Sequence, residues 1–333
     1  MKHGWKRVSA RLLLSFVSVV LTLVVLEWCI GHFRIFPHRS LESPAPHHAL
    51  LHRRSQIPGL SYEMVPNVEM IVDGLQIKIN SLGMRDSEPA PKNTSSLVRI
   101  VALGDSYTWG WRVPIEEAYP EVLEKLLNQS AGTTRYEVMN FGTIGYSTRD
   151  EVLVLRYKAL AWNPDILILG YVFNDPETDP VQPLNYYFAS QTWWERLELK
   201  RLVTRVKYKW DVKRMGGGDY YRSMHSDRSD KWRSVVRAFG EIRDLTSSRR
   251  IKVLVVIFPD VPRKGWGVYT NASIGRKVAG LAEANGFEAL DLYDVFSHYG
   301  SRELRMSDED FHPTPLGHRL AAQAIQEKLF GWQ

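Results

Sequence analysis

The chain has 333 residues, a net charge of +6 and a pI of about 9.2, with 44% hydrophobic and 24% charged residues. That apolar content excludes a disordered chain, and the one cysteine, Cys29, excludes an internal disulfide or a cysteine metal cage. The positive balance by itself suits an acidic partner such as nucleic acid, anionic lipid or acidic polysaccharide.

The first eleven residues carry Lys2, Lys6, Arg7 and Arg11 and no acid, and residues 12–31 form an apolar run. Twenty helical residues span about 30 Å, the thickness of a bilayer's hydrocarbon core. The basic flank predicts a cytoplasmic tail (1–11), a transmembrane signal anchor (12–31) in the cytoplasmic membrane, and the rest of the chain on the periplasmic or extracellular side. Glu27 interrupts the run near its outer end, where a carboxylate reaches the headgroup layer. A cleaved signal peptide is the rival reading, and Cys29 as a lipoprotein cysteine is weakened by bulky Trp28 before it.

Residues 32–60 mix Pro, His, Ser and Arg without apolar periodicity and read as a linker. His47, His48 and His52 lack a fixed ligand spacing and read as solvated linker residues. An N-terminal extension, 61–97, follows. In it, residues 68–80 alternate around Asp73-Gly74, a hairpin signal.

From Val98 the rhythm is strand and helix in alternation. Strands are expected at 98–103, 136–142, 164–172, 251–258 and 287–292, and helices at 116–130, 148–162, 271–285 and 315–330. Apolar strands separated by helices predict a parallel sheet covered on both faces. A stretch at about 176–230 breaks the rhythm. It is rich in bases from Trp193 to Arg214, and reads as a lid, a face toward anionic lipid or polymer, or a solvated insertion.

The strand at 98–103 runs into Gly104-Asp105-Ser106. In open α/β sheets ligands bind at the carboxyl ends of strands. A serine there becomes a nucleophile only with a base, an acid to orient the base, and donors for the oxyanion. His312 lies just before the last helix, preceded by Asp308, Glu309 and Asp310. The second strand runs into "NFGTIGYS" (Asn140, Gly142, Gly145) and the third into "GYVFND" (Asn174, Asp175). Trp109 and Trp111 are either a stacking platform for sugars or packing residues, with Tyr107 and Trp109 favoured as packing.

Four blocks in order, "GDSYTWG", "NFGTIGYS", "GYVFND" and "DEDFHPTPLGH", make residues 98–330 resemble the SGNH (GDSL-type) hydrolases. The resemblance implies a flavodoxin-like three-layer sandwich with about five parallel strands, and ester chemistry without metal or organic cofactor. It implies Ser106 as nucleophile, His312 as base, Gly145 and Asn174 as oxyanion donors, and Asp105 and Gly142 in support. Two positions depart from the pattern. Val172 stands where the family usually has glycine, the glycine here being Gly170. Glu309 stands three residues before the histidine, where aspartate is usual, whereas Asp310 matches a spacing of two found in some polysaccharide-acetylating relatives. Asp310 is therefore the first choice for the acid and Glu309 the second.

These features together predict a membrane-anchored serine esterase that removes or transfers small acyl groups, such as acetyl, on a polysaccharide. A transferase would need a membrane partner that supplies the acyl group, because one span cannot carry it across. A lipase, lysophospholipase or thioesterase at the membrane surface, and a non-catalytic scaffold of envelope polysaccharide assembly, are the alternatives. Nucleic acid is not expected as a partner, given the outward topology.

Overall fold

The computed structural model describes residues 2–33, 50–91, 96–130, 132–177 and 220–332, together with 184, 188, 194, 197–200, 202–203, 206 and 210. Most of the expected linker, with His47 and His48, and most of the basic insertion lie outside the described residues.

Five parallel strands form the central sheet: β5 (Leu97–Gly104), β6 (Arg135–Asn140), β7 (Ile166–Tyr171), β8 (Lys252–Ile257) and β9 (Glu288–Asp291). Their order is β6-β5-β7-β8-β9. The chain steps from β5 to one neighbour, β6, then returns to the other side as β7. Loops leaving β5 and β7 therefore diverge, and this reversal of winding opens a crevice at the carboxyl edge.

Alternate strand residues feed two apolar layers, because successive side chains point to opposite faces. Val101, Leu103, Leu167, Leu169 and Val255 pack against α4 (Thr148–Tyr157), α6 (Asp230–Ser247) and α7 (Ala272–Ala284). Ile100, Ala102, Ile168, Leu254 and Val256 pack against α3 (Tyr119–Ser130) and α10 (Pro315–Phe330). The result is a three-layer sandwich whose strand order is the flavodoxin-like one. Helix α6 bridges β7 to β8, and the sequence reading did not separate it from the stretch before it. Its inward stripe of Trp232, Val235, Phe239 and Ile242 recurs at helical spacing.

The expected linker ends earlier than residue 60. Leu51 is fully buried, and β1 (His52–Arg54) pairs antiparallel with β2 (Tyr62–Met64). The expected hairpin is present as β3 (Glu69–Val72) and β4 (Leu75–Lys78), with Val72 opposite Leu75. Asp73 and Gly74 both take positive φ, 50° and 82°, as a two-residue hairpin turn demands. This extension has its own small core of Leu51, Met64, Val72, Ile77 and Ile79, which closes over Trp109. It is thus packed against the segment that follows β5, rather than standing apart as a spacer.

Ahead of all this lies α1 (Lys2–His32). Its Arg11–His32 part has a mean hydropathy of 2.4 and is long and apolar enough to cross a membrane. Its apolar side chains from Leu12 to Leu26 are largely exposed.

Candidate active site

Strand β5 ends at Gly104 for steric reasons. A Cβ there would lie 2.0 Å from Thr108 Oγ1, and one on Gly170, its pairing partner on β7, would lie 2.6 Å from the same atom. Two glycines side by side at adjacent strand ends thus make room for Thr108. The departure at Val172 costs nothing here, because Gly170 supplies the space while Val172 is buried in the apolar layer.

Asp105 then caps a one-turn helix, α2 (Ser106–Trp109), its Oδ1 accepting from the Tyr107 N–H at 2.8 Å. Ser106 is the first residue of that turn, so its own N–H has no intrahelical acceptor. Gly110 ends the turn at φ 83°, a left-handed conformation suited to glycine.

Two hundred residues later, α9 (Ser301–Leu304) and α10 hold the loop carrying His312. Thr314 caps α10, and Pro315 starts it, where its missing N–H is harmless. The buried Arg305 ties the loop down, donating to the carbonyls of Val261, Ser307 and Asp308. His312 Nε2 lies 2.8 Å from Ser106 Oγ. Its Nδ1 lies 2.6 Å from Asp310 Oδ1, which also accepts the His312 backbone N–H at 3.1 Å. Asp310 Oδ2 faces the Arg112 guanidinium at 3.3 Å. Partial burial pushes the Asp310 carboxyl up, but its bonds to His312, with Arg112 adding, outweigh this and hold it down at about 2. Glu309, by contrast, is exposed and bonds the Ser307 hydroxyl only through its backbone N–H.

The loops after β6 and β7 complete the rim. Gly142 is required by close approach, since a Cβ on it would meet the Trp109 nitrogen at 2.4 Å. Its N–H is already taken by Asn140 Oδ1 at 3.0 Å, so Gly142 shapes the loop and leaves donation to others. Gly145 adopts φ 77°, and among the described residues its N–H meets no protein acceptor. Tyr62 of the extension donates to the Ile144 carbonyl at 2.6 Å and accepts from Tyr146 at 2.8 Å, bracing Gly145 from outside. The Asn174 side chain bonds the Asp105 carboxylate.

Beneath Ser106 the environment changes. Asp105, Glu151 and Asp175 are all buried, and burial raises the carboxyl of each; repulsion from Asp105 adds to this at Glu151, and from Glu151 and Asp105 at Asp175. Thr148 donates to Asp175 at 3.1 Å. Both Glu151 oxygens are buried without a hydrogen-bond partner among the described residues. Among the described residues no cluster of His, Cys, Asp or Glu has the arrangement of a metal site.

Sequence reasoning missed four residues here. Arg85 is fully buried under the Ser106–Trp109 turn and donates to the carbonyls of Trp109, Gly110 and Val113, its guanidinium 4.4 Å from the Trp109 ring centre. Burial draws that guanidinium down to about 10. Arg112, Arg305 and Glu151 were also passed over. A lone charged residue in a loop has no periodic signal, and only an unexpected count of buried charges marks it. The aromatic residues divide cleanly. Trp109 is buried as packing, whereas Trp111 stays half-buried with its ring 6.0 Å from His312. The second histidine of the block, His318, is fully buried, accepts the Tyr119 N–H, and is drawn by burial down to about 3.

A serine at the switch point of a flavodoxin-like sheet, hydrogen-bonded to an imidazole that is in turn bonded to a carboxylate, describes an ester hydrolase by fold and site. The model of the GDSL-like lipase/acylhydrolase family matches residues 102–320, and this chain belongs to that family. Its activity is accordingly that of a hydrolase acting on ester bonds. The fold is similar to that of LAE5, an α/β hydrolase from the metagenome of Lake Arreo (16% identity, TM-score 0.47, covering 69% of this chain and 94% of that one). It is also similar to a lipolytic protein of the G-D-S-L family from Desulfitobacterium hafniense (17%, 0.43, 69% and 98%) and to the acetyl xylan esterase AlAXEase (16%, 0.46, 69% and 99%). No curated protein was found to match the chain.

Proposed function

We propose that the chain is a membrane-anchored serine esterase that acts on small acyl groups, acetyl foremost, carried by a polysaccharide. The observation that carries the reading is the unbroken chain of contacts from Ser106 Oγ through the His312 ring to Asp310, 2.8 Å and then 2.6 Å.

In this reading Ser106 Oγ attacks the acyl carbonyl while His312 Nε2 takes its proton. Asp310 keeps Nδ1 protonated and stabilises the imidazolium that forms. The N–H groups of Ser106 and Gly145 and the Asn174 amide meet the oxyanion. His312 returns the proton to the departing alcohol. Water, or an acceptor sugar hydroxyl, then releases the acyl group by the same steps in reverse.

Two aromatic faces support a carbohydrate. The Trp111 ring stands beside His312, and the partly exposed Phe311 ring lies parallel to the imidazole at 5.4 Å. Flat apolar faces flanking a polar centre suit a sugar ring, which has apolar CH faces and polar edges. The membrane anchor rests on Arg11–His32. The test is turnover of acetylated oligosaccharides against long-chain acyl esters by the full chain, with Ser106→Ala as control. Preference for acetyl carries the reading. Preference for long chains replaces it with a lipase or thioesterase, and no turnover of either points to a scaffold.

A further inference from the structure

Glu27 is an acid inside an otherwise apolar span, and its carboxylate has found an unusual occupation. Oε1 accepts the Glu198 N–H at 2.6 Å and Oε2 the Leu199 N–H at 2.9 Å. Residues 198–200 are helical. The first N–H groups of a helical segment lack internal acceptors, and a carboxylate satisfies them. The neighbouring turn agrees. Ile30 is buried although the apolar residues before it are exposed, and a Cβ on Gly31 would sit 3.8 Å from Glu198 Cγ. The outer end of α1 is therefore bonded to the start of the basic segment whose role the sequence left open.

This contact has a consequence for depth. Glu27 lies five residues before the end of α1, about 8 Å at 1.5 Å per residue. Exposed Trp28 beside it is suited to the headgroup layer. A segment bonded to Glu27 thus starts at that layer. From there the described positions Val203, Val206 and Trp210 are helical and 64%, 57% and 57% exposed. Their spacing of three and then four residues in the sequence is the period of one helical face. Between Leu199 and Trp210 the sequence has five bases, Lys200, Arg201, Arg205, Lys207 and Lys209, and no acid. An apolar face among bases is the pattern of a segment lying in the plane of an anionic membrane surface.

We infer that the Val203–Val206–Trp210 face is a bilayer-docking surface, pinned to the outer end of α1 by Glu27, whose occupant is the anionic lipid leaflet around the anchor. Docking there removes one tilting freedom of the domain, so the active site is held at a set attitude to the membrane. The inference rests on the reading of α1 as a membrane anchor.

The test uses the full chain in liposomes of phosphatidylglycerol and phosphatidylcholine. In a Cys29→Ser background, a fluorophore is placed at Val206→Cys and, as reference, at Gln323→Cys on the exposed side of α10. Lipids carrying a nitroxide near the headgroup end of the acyl chain serve as quencher, and flotation after alkaline carbonate washing reports the anchor. The expected result is flotation of both proteins, loss of emission from the Val206 label only, and relief of that loss by Glu27→Gln or by replacing phosphatidylglycerol with phosphatidylcholine. Flotation with a Val206 label no more quenched than the Gln323 label overturns the inference alone. Failure to float overturns the anchor as well. A Val206 label that answers to soluble anionic polysaccharide but not to quencher lipid assigns the face to a polymer and likewise overturns it.

Discussion

Ser106 stands between two sets of carboxylates that the protein treats in opposite ways. On the rim, Asp310 keeps partial access to water, accepts two bonds from His312 and faces Arg112, and is held down at about 2. On the floor, Asp105, Glu151 and Asp175 are buried and burial raises all three, with repulsion from Asp105 adding at Glu151 and Asp175. One chemical group thus meets two different environments in one molecule. The rim favours the charged carboxylate, and burial on the floor disfavours it. The distinction comes from surroundings: His312 and Arg112 at the rim, and below a buried setting where hydrogen-bond donors reach Asp105 and Asp175 but none reaches Glu151 among the described residues.

The largest test of this contrast removes the charge at the rim. Asp310→Asn keeps the size but loses the charge that fixes the His312 tautomer and stabilises its protonated ring, and kcat should fall about 10²- to 10⁴-fold. Glu309→Gln in the same assay should change kcat by less than about twofold, since its side chain is exposed and away from the imidazole. Equal losses in the two variants would show that the rim charge is shared, and the reverse order would move the acid to Glu309.

The next effect is on stability. Arg85→Met strands three carbonyls under the nucleophile turn and should cost about 2–4 kcal/mol, read as a lower denaturation midpoint at unchanged slope. A midpoint like wild type would mean that the extension does not brace that turn.

The floor gives the complementary result. If Glu151 is neutral when folded, Glu151→Gln replaces it with a neutral group of the same shape. Catalysis should then stay within about threefold of wild type and thermal stability should hold. A hundredfold loss of kcat would show that the floor acts through charge, and would erase the contrast with Asp310.

A separate effect is on pH dependence. Burial draws His225 down to about 4, where its ring bonds Tyr171, and His318 down to about 3. Both imidazoles bind protons more readily when unfolded, so their contribution to stability is full above about 6.5 and is lost as pH falls toward 4 and below. The midpoint temperature should decline over that window, and less steeply in His225→Gln. An identical slope in the variant would assign the decline to other groups.

Much of the architecture was legible because it rests on repeating patterns. The inner strands are apolar on both faces and most helices that cover them carry stripes, so the five strands were placed within about two residues of their ends, while the helix expected at 148–162 stops at Tyr157. The site was legible for a different reason. Ser106, His312, Asp310, Gly145 and Asn174 sit in short blocks where strand ends, turns and helix caps constrain several neighbours at once. What stayed hidden lacks both properties. Arg85 acts through three backbone carbonyls that have no sequence signature. Residues 50–60 look like linker because β1 and β2 are three-residue strands whose burial depends on Trp109, far along the chain. Helix α6 was obscured by the irregular stretch before it. Glu27 looked like a tolerated blemish in an apolar span, and its bonding to 198–199 depends on a fold that brings distant segments together.

The central claim is that Ser106 is the nucleophile activated by His312. The most direct test is intact-mass and peptide mapping of the folded full chain after treatment with a fluorophosphonate, alongside Ser106→Ala and His312→Ala. The account predicts one adduct, on the peptide containing Ser106, formed far more slowly in His312→Ala and absent in Ser106→Ala. Esterase turnover in a protein that labels at a different serine, or that persists in Ser106→Ala, would contradict it.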